Sequence, residues 1–163
     1  MSESDDFDDF YYGSFKRLLR YAHGLTGDLG DAEDLVQEAY TRAWLRWRSL
    51  KDYDEPEAWL RLVVTRLAAD RWRRLVVKRT FVAESRPFSA VPPPTEDHLV
   101  LTEALRSLPL DQRRVLVLRF MLDRSLEQIA KEMDANINTV KSWLSRGKAN
   151  LATIMAGKGG VNV

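Results

Sequence analysis

The sequence predicts an all-α protein, with two small helical domains joined by a proline-rich linker and a helix-turn-helix in the second domain. Three observations carry this reading. Apolar residues recur at helical spacing through most of the chain. One stretch breaks the pattern: residues 83–97, AESRPFSAVPPPTED, contain Pro87, Pro92, Pro93 and Pro94 and keep no apolar period. Finally, residues 125–150, SLEQIAKEMDANINTVKSWLSRGKAN, read as two helices around a tight turn. The expected domains are 1–80 and 99–155, with a linker over 81–98 and a disordered tail over 156–163.

In the first domain, Phe7, Phe10, Tyr11, Phe15, Leu18, Ala22 and Leu25 trace one stripe, which ends at Thr26-Gly27-Asp28. A second stripe is the cleanest in the chain: Ala32, Leu35, Val36, Ala39, Tyr40, Ala43, Trp44, Trp47. Gly30-Asp31 would cap its start, and Asp31, Glu33 and Asp34 suit the positive end of its dipole. A loop from Ser49 to Pro56 leads to a third helix, from near Glu57 to about Arg74 or Lys78, with Pro56 in its first turn. Domains this small bury little surface, so Tyr40, Trp44 and Trp47 are expected mainly in the core.

The second domain begins with a helix over Leu99–Leu108, and another spans Asp111–Leu122 after Pro109. In the helix-turn-helix, Leu126, Ile129, Ala130 and Met133 form one inner face. Val140, Leu144, Gly147 and Leu151 form the other, on a helix starting at Asn138 or Thr139. Small Ala130 would let the two helices cross closely. The outer face of the last helix reads Thr139, Lys141, Ser142, Ser145, Arg146, Lys148, side chains that donate to phosphates and base edges. From residue 138 onward there are four basic residues and no acid, a balance that favours DNA over a purely structural helix pair.

The net charge of +1 conceals an asymmetry: residues 1–57 carry 14 acids and 7 bases, whereas residues 58–163 carry 10 and 18. An acidic half joined to a basic one suggests partners of different character, although an ordinary acidic surface would look the same. There is no cysteine, which removes thiol chemistry, cysteine metal sites and disulfides. The acidic N-terminus (Glu3, Asp5, Asp6, Asp8, Asp9) does not resemble a signal peptide, and no apolar run approaches a membrane span. The expected location is cytoplasmic. Only His23 and His98 are present, and neither the nucleophile-elbow nor the phosphate-loop pattern occurs. Asp28, Asp31 and Asp34 lack calcium-loop spacing. No catalytic residue, metal site or cofactor is therefore expected.

Two further surfaces stand out. Asp34, Gln37, Glu38, Thr41 and Arg42 lie off the apolar stripe as one polar face of mixed charge. Such a face suits a protein partner better than a polyanion; the alternative is an ordinary solvated face. From Arg61 to Arg79 seven bases stand against the single acid Asp70, with Trp59 and Trp72 interleaved and Tyr53 in the preceding loop. Basic charge mixed with aromatic rings fits single-stranded DNA, which needs phosphate neutralisation and stacking. The alternative there is a core Trp59 and arginines that only solubilise a helix.

These parts, in this order, resemble the extracytoplasmic-function group of sigma-70-family RNA polymerase sigma factors. The resemblance runs from about Phe7 to Leu151. It is carried by DAEDLVQEA (31–39) with Arg42 and Trp44, and by Trp59-Leu60 with LAAD (67–70), Arg73 and Arg74. Ala104-Leu105, Leu108-Pro109, Arg113 and Val115 continue it, followed by TVKS (139–142). The resemblance implies that Asp34, Gln37, Glu38, Thr41 and Arg42 dock on the polymerase β′ coiled coil, with the β subunit as a further contact. It implies that Tyr53, Trp59, Arg66, Arg71, Arg73 and Arg74 hold the melted −10 element. Asn138, Thr139, Lys141, Ser142, Ser145 and Arg146 would read the −35 duplex. Core polymerase and promoter DNA are the implied partners, and an anti-sigma protein is compatible with the family. Asp134 replaces the usual turn glycine; aspartate tolerates the left-handed conformation at some cost. A free-standing helix-turn-helix repressor or activator remains the alternative class, with no use for the acidic helix or the tether.

Overall fold

The structure is a computed structural model that describes residues 2–79 and 96–159. Helix α1 spans Glu3–Thr26, α2 Leu29–Leu45, α3 Trp47–Leu50 and α4 Pro56–Arg79. Helix α5 spans Glu96–Arg106, α6 Leu110–Leu116, α7 Leu126–Glu132 and α8 Ile137–Gly159. Among the described residues there is no strand, and no helix is long and apolar enough to cross a membrane. The chain divides into two compact units, Met1–Ala22 with Leu29–Pro92, and His23–Asp28 with Pro93–Val163.

In the first unit α1 carries Glu3, Asp5 and Asp6 in its first turn, where the helix dipole favours acids. The core combines Leu18, Tyr21 and Ala22 of α1 with the α2 stripe and with Leu60, Val63 and Val64 of α4. Helix α2 starts at Leu29, ahead of the expected Gly30-Asp31 cap. Its stripe is buried as expected at every position but Trp44. At Arg46 the backbone departs from helical geometry (φ −110°, ψ 11°) before α3 begins. Trp47 keeps helical spacing from Ala43 and turns inward with Leu50, whereas Trp44, at the edge of the stripe, stays 48% exposed. Trp44 is thus not a core residue, although its ring lies 5.2 Å from Phe7, edge to face.

Tyrosines in a core need partners for their hydroxyls. Tyr40 OH pairs with Ser14 Oγ at 2.6 Å, and Tyr21 OH with Thr65 Oγ1 at 2.7 Å. Burial pushes the Tyr40 phenol up to about 12, against the opposing pull of the Ser14 hydrogen bond. A raised folded pKa on an acid means the neutral form is favoured by folding. Its contribution is complete below the unfolded value of 10.0 and is lost as pH rises through about 12. Thermal melts across that interval should therefore show a steeper loss of stability for the natural chain than for Tyr40→Phe. Parallel curves would remove Tyr40 as the cause.

In the second unit Pro109 caps α6, which passes without a break into a π-helical turn over Val117–Met121. The Leu122 N–H donates to Val117 O at 3.1 Å, a five-residue step. The sequence suggested one regular helix to Leu122. The wider turn instead keeps Val117 and Leu118 in the core and leaves Phe120 60% exposed. Ala104, Leu105, Leu108, Val115, Leu116, Ile129 and Val140 complete this core, with Leu144, Leu151 and Ile154 packed against it. Two other boundaries shift. Residues 81–95 of the expected linker, and residue 80 before it, lie outside the described residues, whereas 96–98 are already in α5. Helix α8 persists to Gly159, so 156–159 are helical and not a disordered tail; residues 160–163 lie outside the description.

Local chemistry fixes the helix-turn-helix. Ser125 caps α7 by accepting the Gln128 N–H, and the Gln128 side chain accepts the Ser125 N–H in return. Asp134 takes a positive φ of 49°, the left-handed turn that its side chain tolerates. Asn136 Oδ1 accepts the Asn138 N–H at 2.8 Å, so α8 begins at Ile137, a residue earlier than expected. Ser125→Ala removes half of the reciprocal cap and should cost about 1 kcal/mol of unfolding free energy. Denaturant titration checks this; an unchanged midpoint would show that the cap is redundant.

Gly147 lies in the contact between α6 and α8. A Cβ there would sit 3.2 Å from Leu116 Cδ1 and 3.4 Å from Gln112 Cβ. Alanine would need only a small adjustment and would gain helix propensity, whereas Gly147→Val should push the helices apart. We expect a loss of about 1–3 kcal/mol for valine, the usual range for overpacking. A valine variant melting like the natural chain would contradict that packing.

Candidate nucleic-acid and partner interfaces

Helix α2 presents Asp34, Gln37, Glu38, Thr41 and Arg42 as one exposed face, because its inner residues occupy the complementary positions. The face is locally ordered. Glu38 and Arg42 form an i,i+4 ion pair at 3.0 Å, and the Thr41 hydroxyl donates to Gln37 O. Leu45, one turn beyond Thr41, is 78% exposed and extends the face into apolar character beside Trp44. Leu45 is not legible in the sequence, because a leucine near a helix end gives no sign of which way it faces.

The basic helix α4 sorts its arginines in a way that counting cannot. Arg61 is 4% exposed and lies 3.8 Å from the partly exposed Glu57 carboxylate, so it leaves the set of surface cations. Glu57 also takes a bidentate guanidinium from Arg17 of α1. Arg66, Arg73 and Arg74 are exposed; Arg73 pairs with Asp70 one turn back. Arg71 turns toward α2, where its Nη1 donates to Asp31 Oδ1 at 3.2 Å and lies 3.9 Å from Asp34 Oδ2. Tyr53 in the preceding loop is 45% exposed, Trp59 is partly buried and Trp72 is half exposed. Trp59 is therefore partly a packing residue, whereas Tyr53 and Trp72 offer rings at the surface.

On α8, Asn138, Thr139, Lys141, Ser145 and Arg146 are exposed, and Ser142 is half-buried between them. Val140 and Gly147, on the other side of the helix, are buried, so these polar residues share its outward side. The Lys148 ammonium lies 5.1 Å from the centre of the Phe120 ring, and this cation–π contact gives it a partner within its own unit.

A feature not legible in the sequence lies on the same unit. An apolar groove of about 340 Å³ is lined chiefly by Leu101, Leu105, Phe120, Leu151 and Met155, with Lys148 among its lining residues. Leu101, Phe120 and Met155 are substantially exposed there. The π-helical turn places Phe120 in it, and that turn has no recognisable sequence signal.

Comparison with known proteins gives matches on both units. Residues 12–76 match the family described as Sigma-70 region 2, and residues 98–151 match Sigma-70, region 4. The RNA polymerase sigma-E factor of Streptomyces coelicolor is 33% identical over 154 residues, covering 93% of this chain and 86% of that protein. The ECF RNA polymerase sigma factor SigL of Mycobacterium tuberculosis is 34% identical over 135 residues, covering 78% and 76%. Among solved structures, the sigma factor RpoE in complex with the anti-sigma factor NepR from Bartonella quintana superposes with a TM-score of 0.74. That likeness, at 24% identity over 93% of this chain and 97% of the other, concerns the fold.

Proposed function

The chain belongs to the extracytoplasmic-function group of the sigma-70 family, and from that premise we propose that it reads promoters in two forms, as −35 duplex and as a melted −10 strand. Its coarser role follows from membership: it is an alternative sigma factor for transcription initiation, a DNA-binding regulator and not an enzyme. The observation that most supports the finer division is the separation of chemistry between the two matched regions. One carries aromatic rings among exposed arginines, the other a helix with hydroxyls, amides and cations on a single outer face.

In this reading the α8 face enters the major groove, and Arg146 and Lys141 meet base edges or phosphates there. Arg66, Arg73 and Arg74 neutralise phosphates of the opened strand, while Tyr53 and Trp72 provide rings on which bases stack. Trp59 supports that surface from partly within the core. The exposed α2 face docks on the β′ coiled coil of core polymerase. The apolar groove of the second unit takes the β subunit, whose contacting surface would need to be an apolar helix face. An anti-sigma protein is a further partner consistent with the group.

Addition of the purified chain to core polymerase should produce specific transcripts from a genomic promoter library in a runoff assay. Absence of any specific transcript, with the chain folded and core active, would reject the reading. Binding of the chain alone to duplex promoters as tightly as with core would favour a free-standing regulator.

A further inference from the structure

Arg71 sits among cations expected to face DNA, yet its guanidinium is turned back to α2. Its Nη1 donates to Asp31 Oδ1 at 3.2 Å and lies within ion-pair distance, 3.9 Å, of Asp34 Oδ2. The three side chains are partly open to solvent: 36% for Arg71, 43% for Asp31 and 73% for Asp34. Asp34 has a second allegiance. It is the first residue of the exposed α2 face, in helical register with Gln37, Glu38, Thr41 and Arg42. The same carboxylate therefore belongs to the surface proposed for polymerase and to the ion pair holding a DNA-side arginine.

We infer that Asp31, Asp34 and Arg71 form an electrostatic latch that couples polymerase docking on α2 to strand binding on α4. The inference rests on the two surfaces assigned above. Before docking, two carboxylates neutralise Arg71 and add negative potential beside the path of a DNA phosphate. A cation of the docking partner that pairs with Asp34 withdraws one of them. Arg71 then keeps Asp31 as its hydrogen-bond acceptor, and its remaining N–H groups and net positive field are directed to the strand. Two ligands that share one charged group in this manner raise each other's affinity reciprocally. Arg73 does not duplicate the device, because its acid, Asp70, lies on α4 itself and not on the docking face.

A mutant cycle on the full-length chain tests this, with a short fluorescent single-stranded deoxythymidine oligomer as probe, with and without core polymerase. Asp34→Asn should raise the oligomer affinity of the free chain about two- to fivefold, the range of exposed ion pairs. The salt dependence should steepen by up to about 0.7 in slope, one single-strand phosphate contact. In an Arg71→Gln background the same substitution should give no gain. With core bound, the gain should shrink toward unity, since Asp34 is already neutralised. Glu33→Gln removes an exposed acid next to Asp34 that has no role in the latch, and should leave the affinity near that of the natural chain. An equal gain from Glu33→Gln, or a gain that survives Arg71→Gln, would overturn the latch in favour of a general charge effect. Failure of the natural chain to bind core, or of the complex to bind the oligomer, would instead remove the assignment of the two surfaces and the latch with it.

Discussion

Simultaneous replacement of Asp34, Gln37 and Glu38 by alanine should weaken binding to core polymerase about 10- to 100-fold, or about 1.4–2.7 kcal/mol, and leave the fold nearly intact. The separation of these effects follows from where the side chains sit. All three point away from the buried α2 stripe, so no cavity opens when they are shortened. Glu38 loses an exposed i,i+4 partner in Arg42, and Asp34 loses a distant ion pair with Arg71. Exposed pairs of this kind contribute well under about 1 kcal/mol each. Alanine also favours helix more than aspartate does, which offsets part of that loss. Helical circular dichroism and melting cooperativity should be close to those of the natural chain, while a core-binding titration shows the weakening. Loss of cooperative unfolding would assign the residues to the fold; unchanged core affinity would move the docking surface elsewhere. Leu45, exposed at the end of the same face, provides an internal check. Leu45→Ala should weaken core binding further with little loss of stability, because its side chain is 78% exposed.

The parts of this protein that were readable in its sequence are those governed by local rules. Helical periodicity identified α1, α2, α4 and the helix-turn-helix, and the turn at Asp134 follows from side-chain chemistry within a few residues. What escaped depends on a change of phase or on partners distant in sequence. Trp44 and Trp47 both fit the α2 spacing, but Trp44 lies at the edge of the stripe and is 48% exposed, because how far a stripe is covered depends on what packs against it. The π-helical turn at Val117–Met121 similarly exposes Phe120 and shapes a groove that residue spacing does not disclose. Charge counts were misleading in a comparable way. Seven bases in α4 looked equivalent, yet Arg61 is buried and Arg71 is tied to α2, because tertiary packing decides which of them reach the surface free of α2.

Premelting the −10 region of a promoter with mismatches should partly rescue variants of Arg66, Arg73 and Arg74 and do little for Arg146→Ala. The two sets are predicted to act on different forms of DNA. Arg146 is exposed on a helix whose opposite side is packed, and a guanidinium so placed can fork onto the edge of one guanine. Its loss should cost about 1–3 kcal/mol and relax preference at a single position of the −35 element, whether or not the −10 region is open. The α4 arginines share their helix with exposed Trp72, and Tyr53 is exposed in the loop before it, a combination suited to a strand whose bases are unstacked. Their phosphate contacts are distributed, so their loss should weaken open complexes at many promoters and flatten the salt dependence by about 0.7 per lost contact on a single strand. Part of that binding energy opposes the cost of unpairing the duplex. Mismatches remove this cost in advance, so a variant limited by it recovers, whereas a variant limited by duplex reading has nothing to recover. Open-complex formation on matched and mismatched templates, measured for both variant sets at one salt concentration, makes the comparison direct. Equal rescue of both sets would mean that α8 and α4 do not divide duplex from single strand. Rescue of neither would mean that the α4 arginines do not act on the melted form.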